Sequence, residues 1–258
     1  MDGYKEIIMK ISEIFQFLNT LYPVETAEAF DNVGLLVGSG ETEVSSVIVA
    51  LDCTKSAVKK AIEQGANLII THHPVVFEPL KAIDANSVPA LCIKNGISVI
   101  CMHTNMDKAE KGVNYALCKR LGLEGVTGFF GYDGFPLLKG NLKEEMTEEA
   151  LAQYLKNTLG SSVRYNATNK SIKIVALCCG SGGGYLPDAI KNGCDAFITG
   201  DVKHNVFVDA QNEDFPVFDA GHFYTENVIT EPLVYMLSEK LGDIKVIPFH
   251  GYTVKTHF

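Results

Sequence analysis

The sequence lacks any apolar run long enough to cross a membrane; its longest apolar stretches are the length of a strand. Its opening residues, MDGYKEIIMK, carry charges where an export signal needs an apolar centre. Neither export nor membrane insertion is expected, and the cytoplasm is the expected compartment. Basic clusters are scarce as well. The longest is Lys59-Lys60, in a chain of formal net charge -9 and pI near 5.3. That balance argues against a nucleic-acid surface, which needs clustered Lys and Arg to neutralise phosphates, and favours small-molecule or protein partners. No CxxC spacing occurs among the seven cysteines (53, 92, 101, 118, 178, 179 and 194). Most lie in apolar or strand-like text and read as reduced, buried thiols. Adjacency of Cys178 and Cys179 offers a weak metal signal, with core packing the favoured reading. A Walker lysine is missing after the glycine run GSGGG (180–184), so a tight strand-to-helix turn is preferred there over a phosphate cradle.

What is present is a globular composition. With 47% hydrophobic residues in 258 positions, the chain can build one large domain or two modest ones. The most informative stretch is LIITHHPVVF, residues 68–77. A short β-branched and leucine-rich run stops at Thr71, placing His72 and His73 at the C-terminal end of a strand, where open α/β sheets form their ligand crevices. One such histidine is usually a hydrogen-bonded structural residue. Two in succession at a chain turn, with Pro74 restricting His73 to an extended conformation, could serve one ion or two neighbouring ions.

Along the chain, apolar residues from Ile7 to Leu21 recur at helical spacing until Pro23. Asp31-Asn32 reads as a turn, with Asp31 a turn-capping carboxylate. Next come a strand (VSSVIVALDC), a helix beginning near Thr54 and the strand leading to the histidines, which together form a βαβ unit. A helix around Val88 to Lys94 and the strand ISVICMHT then reach His103, after which a helix opens on Asp107 and runs to Gly122. From about Thr127 to Ser171 the text becomes rich in glycine turns, with a helix from Thr147 to Leu159 and a strand in SVRYNA.

The second half echoes the first. IVALCC (174–179) resembles IVALDC (48–53), and AIKNGCDAFITGD resembles AIEQGANLIITHH, with Gly200-Asp201 standing where the first copy has His72-His73. This many coincidences point to duplication. ISVICMHTNMD likewise aligns with FPVFDAGHFYTE, giving His103 to Asp107 and His222 to Glu226 like places. If Gly221 starts a helix, His222 and Glu226 lie on one face, one turn apart. Taken singly, Asp107 reads as a helix-start carboxylate and His222 as a residue that caps or packs. Together, His72, His73, Asp107, His222 and Glu226 all follow predicted strands and are expected to converge on an interdomain cleft. Five mixed imidazole and carboxylate ligands exceed the needs of one ion and suit a pair of divalent ions, with zinc, iron or manganese preferred. The expected fold class is α/β with mixed sheets, in two related duplicated domains. The first comprises residues 1–126, completed by the C-terminal segment 231–258, and the second residues 127–230.

Five motifs, FDNVGLLVG, THHPVVF, HTNMDKAEKGVNYAL, DAFITGDVKHN and DAGHFYTE, resemble those of the NIF-three-like family, the GTP cyclohydrolase I type 2 family, over nearly the full length. The resemblance implies a duplicated α/β fold, a dinuclear metal site from the same five residues, and a ring-shaped homohexamer. It also implies a short form without the domain that longer relatives insert between the halves. Phe30 departs from the tryptophan usual in the family, and the ending VIPFHGYTVKTHF lacks its Asn-Pro. The implied activity is hydrolysis by a metal-activated water attacking a nucleotide such as GTP. His103, placed like a ligand but outside the five, is a candidate proton shuttle or a residue that supports a ligand from behind. The alternatives are a metal-binding oligomeric scaffold or regulatory interaction protein without turnover, and a metal-dependent phosphoesterase.

Overall fold

The computed structural model describes residues 9–251, which fall into two compact units: 9–109 with 230–251, and 110–229. In the first unit α1 (Ile11–Leu21), β1 (Gly34–Val37), β2 (Ser46–Ala50), α2 (Lys55–Gln64), β3 (Leu68–Thr71), α3 (Val88–Lys94), β4 (Ser98–Cys101) and α4 (Thr104–Lys108) follow in order. The second contains α5 (Val113–Arg120), β5 (Glu124–Phe130), β6 (Pro136–Thr147), α6 (Glu148–Leu159), β7 (Arg164–Tyr165), β8 (Ser171–Leu177), α7 (Leu186–Lys191), β9 (Ala196–Thr199), α8 (His204–Asn212), β10 (Val217–Asp219) and α9 (His222–Glu226). The chain then contributes α10 (Thr230–Leu241) and β11 (Lys245–Phe249) to the first unit.

The first sheet runs β1-β4-β3-β2-β11, parallel except for the edge strand β1. Every residue of β2, β3 and β4 is buried, which is why these strands read as unbroken apolar runs rather than as alternation. Between β2 and β3, α2 starts on Thr54, whose Oγ1 accepts from Ala57 N at 3.1 Å. It ends at Gly65, left-handed at φ 65°, a conformation that costs glycine nothing. Ile48, Val58, Ala61, Ile69, Cys92 and Val99 pack together on one face of this sheet.

The second sheet runs β5-β6-β8-β9-β10-β7. Its centre, β8, β9 and β10, is parallel, and antiparallel strands flank it on both sides. Val47 pairs with Leu68 in the first sheet and Val175 with Ala196 in the second, so both partners recur 128 positions on. The same interval separates Gly65 from Gly193, left-handed at φ 69°. By this register IVALDC and IVALCC, which lie 126 apart, are out of step by two residues. A slip of two preserves pleat parity, so the lettering matches while the places differ.

Four further readings of the sequence change. Met9 and Lys10 are not helical, Lys10 instead bridging to Glu43, and α1 begins at Ile11; Ile7 and Ile8 lie outside the described residues. Asp107 does not open a long helix. It lies within the short α4, and residues 109–112 turn before α5 begins. The glycine-rich text after Thr127 belongs in part to a long antiparallel hairpin of β5 and β6, where Gly125 and Gly128 masked a strand pattern. Finally, His103 and His222 do not hold like places. Met102 N donates to Thr71 O at 3.0 Å and Ala220 N to Thr199 O at 2.8 Å, so the counterpart of His103 is Gly221, and His222 lies one residue further on.

Candidate metal centre

In the first unit, β3 and β4 lie side by side and deliver three imidazoles from their C-terminal ends. His72 and His73 follow β3, and His103 follows β4 as the residue preceding α4. Ring centroids are 5.0 Å apart for His72 and His73, 5.1 Å for His72 and His103, and 5.5 Å for His73 and His103. One ring nitrogen from each lies within 4.8 Å of the others. His72 is 2% exposed.

Each ring is held by its Nδ1. His72 Nδ1 donates to the Met102 carbonyl at 3.0 Å, His73 Nδ1 to Asp52 at 2.8 Å and His103 Nδ1 to Asp31 at 2.8 Å. A carbonyl or an ionised carboxylate can only accept, so in neutral rings the proton sits on Nδ1 and the lone pair on Nε2. This is the arrangement in which an outer carboxylate or carbonyl fixes a metal-binding histidine. Asp107, on α4, brings Oδ1 to 3.5 Å from His72 Nε2.

Asp31 is not the turn carboxylate expected of it. Its side chain is fully buried and accepts from Thr104 N and Oγ1 as well as from His103, so it caps α4 from a distant stretch of chain. Burial pushes its carboxyl up, but the hydrogen bonds from His103 and Thr104 outweigh that and hold it well below the usual carboxylate range. Asn105 completes the support. Its Oδ1 accepts from His103 N at 2.9 Å while its Nδ2 donates to Tyr22 O at 2.7 Å.

In the second unit, Gly221 is left-handed at φ 83° and immediately precedes α9, so His222 and Glu226 stand one turn apart on a single face, as their spacing predicts. His222 Nε2 is 2.9 Å from Glu226 Oε2, and its Nδ1 donates to Asp201 at 2.7 Å. Glycine at 180 makes room for this pair, since a Cβ there would fall 2.2 Å from Glu226 Oε1. The run at 180–184 is accordingly a strand-to-helix turn that passes through a 3-10 turn into α7. Asn114 Oδ1 accepts from Cys179 N, and Thr225 Oγ1 accepts from Gly180 N, fixing this turn to α5 and α9.

The donor set suits a divalent ion. Ligands bound at about 2.0–2.2 Å, at angles between octahedral and tetrahedral, stand roughly 3.0–3.5 Å apart, close to the separations of His72 Nε2 from Asp107 and of His222 Nε2 from Glu226. Sequence reasoning missed Asp31, Asp52, Asp201, Asn105, Asn114 and Thr225. Asp52 and Asp201 follow strands, a usable signal, whereas nothing local marks Asp31.

A mixed α/β protein with histidine and carboxylate clusters at the C-terminal ends of its parallel strands is the class these features define. The family model described as Duf34/NIF3 (NGG1p interacting factor 3) matches residues 9–254, and the chain belongs to that family. A Clostridium perfringens protein named "GTP cyclohydrolase 1 type 2 homolog" is 34% identical over 249 residues, covering 91% of this chain and 92% of its own. A Staphylococcus aureus relative of the same name is 28% identical over 361 aligned positions, covering 96% and 98% respectively. That alignment is longer than the 258 residues of this chain, so roughly a hundred of its positions have no counterpart here. The crystal structure of a hypothetical protein from Staphylococcus aureus superposes with a TM-score of 0.90 at 31% identity, over 97% of this chain and 99% of that one. Among the described residues, no helix is long and apolar enough to cross a membrane.

Proposed function

We propose that this protein is a metal-dependent hydrolase of a nucleotide or related phosphorylated compound, with ring opening of GTP as the specific reaction. Its site comprises two divalent ions, zinc, iron or manganese, held jointly by His72, His73 and Asp107 from one unit and His222 and Glu226 from the other. The observation that carries this reading is the commitment of Nδ1 in His72, His73, His103 and His222 to fixed acceptors, which puts the lone pair of each neutral ring on Nε2, the atom of a metal-binding histidine held in this way. The name borne by the curated relatives supports a nucleotide. The shared strand order and the 128-residue register support descent of the two units from one duplicated ancestor.

When bound, the ions lower the pKa of a coordinated water toward neutrality. The chain's own part is to orient and to move protons. Asp52 and Asp201 hold His73 and His222 in one tautomer. His103, its Nδ1 proton engaged by Asp31, is left able to take a proton at Nε2 and pass it to the leaving group.

Glu226→Gln tests the reading, because the amide keeps size and hydrogen bonding but removes charge. Metal content, GTP and phosphate-ester hydrolysis, and mass by light scattering are measured beside wild type. The expected result is loss of one ion and a fall in turnover of several orders of magnitude, with an intact homohexamer in both proteins. A fully metallated wild type inert on every compound would support the scaffold reading instead, and turnover of phosphate esters alone would support a phosphoesterase. A monomer near 28.1 kDa would overturn the hexamer.

A further inference from the structure

Two cysteines of the first unit lie outside the five proposed ligands, Cys53 directly after Asp52. Cys53 Sγ lies 4.0 Å from Cys92 Sγ, although 39 residues separate them. Cys53 follows β2 and is half-buried, whereas Cys92, on α3, is fully buried. Both pack in the same apolar cluster with Val58, Ala61 and Ile69. We propose that this pair is an oxidation site, converted by hydrogen peroxide to an intramolecular Cys53–Cys92 disulfide.

The geometry sets the order of events. Oxidant reaches the half-buried sulfur first. Cys53 sulfur attacks one peroxide oxygen, the O–O bond breaks, the thiol proton leaves with the departing hydroxide as water, and Cys53 becomes a sulfenic acid. Cys92 sulfur then attacks Cys53 sulfur, the S–O bond breaks, and the hydroxide leaves as a second water with the proton of Cys92. Two thiols lose two electrons and one peroxide is reduced to two waters. Closing the bond brings the sulfurs from 4.0 Å to about 2.05 Å, an approach of about 2 Å.

The electrostatics of the reduced pair bear on the rate of the first step. While both are thiols, the hydrogen bond with Cys53 lowers the Cys92 thiol, outweighing burial. The same bond, with burial and the neighbouring Asp52, raises Cys53. Its reaction with peroxide is therefore slow, like that of an ordinary protected thiol, and an excess of oxidant is needed.

The test uses the full-length protein, treated with excess hydrogen peroxide, blocked with iodoacetamide under denaturing conditions and digested with trypsin. Residues 11–55 and 82–94 form tryptic peptides carrying one cysteine each, so the disulfide reads directly as a cross-linked pair that dithiothreitol separates. The expected result is that pair as the dominant oxidised species, with the five buried cysteines alkylated. In Cys92→Ser the cross-link should vanish and Cys53 should be trapped as a sulfenic acid by dimedone. Three outcomes in wild type alone would overturn the proposal, whatever the variant's folding: Cys53 carried on to sulfinic acid beside a free Cys92, cross-links through other cysteines instead, or both thiols still free when buried cysteines elsewhere have reacted.

Discussion

The ends of β3 and β9 occupy the same register, yet one carries His72-His73 and the other Gly200-Asp201. The difference follows from what approaches each end. In the second unit the backbone entering α9 comes so near that a Cβ on residue 200 would lie 2.5 Å from His222 N, so the site admits only glycine, and the imidazole is supplied from α9 instead. Each unit pairs a histidine with an aspartate, Nδ1 donating in both, but the two members stand at different places. After β3 the histidine belongs to the strand end and its carboxylate, Asp52, comes from the neighbouring β2 turn, whereas after β9 the carboxylate Asp201 belongs to the strand end and the histidine comes from the helix. The same histidine–aspartate pair can thus be assembled from different places along the chain.

The severest attack on this comparison is to remove one side of it. Replacing both His72 and His73 by alanine should abolish stoichiometric metal binding, measured by elemental analysis, while circular dichroism keeps the signature of the fold and the thermal midpoint falls, because His72 is buried and gives up its hydrogen bond to the Met102 carbonyl. Full metal retention would mean that the second unit's ligands suffice alone. A milder probe compares the two orienting carboxylates. Asp52→Asn and Asp201→Asn should each weaken zinc affinity by about ten- to a hundredfold in chelator competition. Equal losses would equate the exchanged pairs, and a loss at Asp52 alone would confine orientation to the first unit.

The smallest effect concerns a buried carboxylate of the second unit. Glu148, in the first turn of α6, is buried and accepts from Thr168 N and Oγ1 and from Lys170 N. Burial raises its carboxyl, yet these hydrogen bonds prevail and hold it below the ordinary glutamate range. A depressed folded value means that its stabilisation is complete above the unfolded pKa, about 4.3, and is lost as pH falls through the folded one. Glu148→Gln should therefore cost on the order of 1 kcal/mol at pH 7 and remove part of the decline in urea midpoint between pH 5 and pH 3. Parallel pH profiles for wild type and variant would contradict this.

Much of this was legible in the sequence. β3, α2 and α6 carry their own signals: an apolar run, a threonine cap with a glycine stop, and a first-turn pair of glutamates. The ligand candidates were readable because strand ends are marked by where β-branched residues stop. Asp31 was unreadable because its partners, His103 and Thr104, lie more than seventy residues away, and no local pattern reports a long-range cap. Local lettering misled where IVALDC met IVALCC. Similar strands recruit similar residues, so composition repeats more readily than position.

The strand spacings of the two units agree at one place and differ at another. From β2 to β3 and from β8 to β9 the spacing is identical, Val47 to Leu68 against Val175 to Ala196. From Ile69 to Val99 the chain takes 30 steps, but from Phe197 to Val217 it takes 20. The surplus belongs to the passage that contains the exposed stretch Phe77 to Asn86. Within a unit, length variation is expected in that passage rather than in the β2–β3 module, whose spacing is the same in both units.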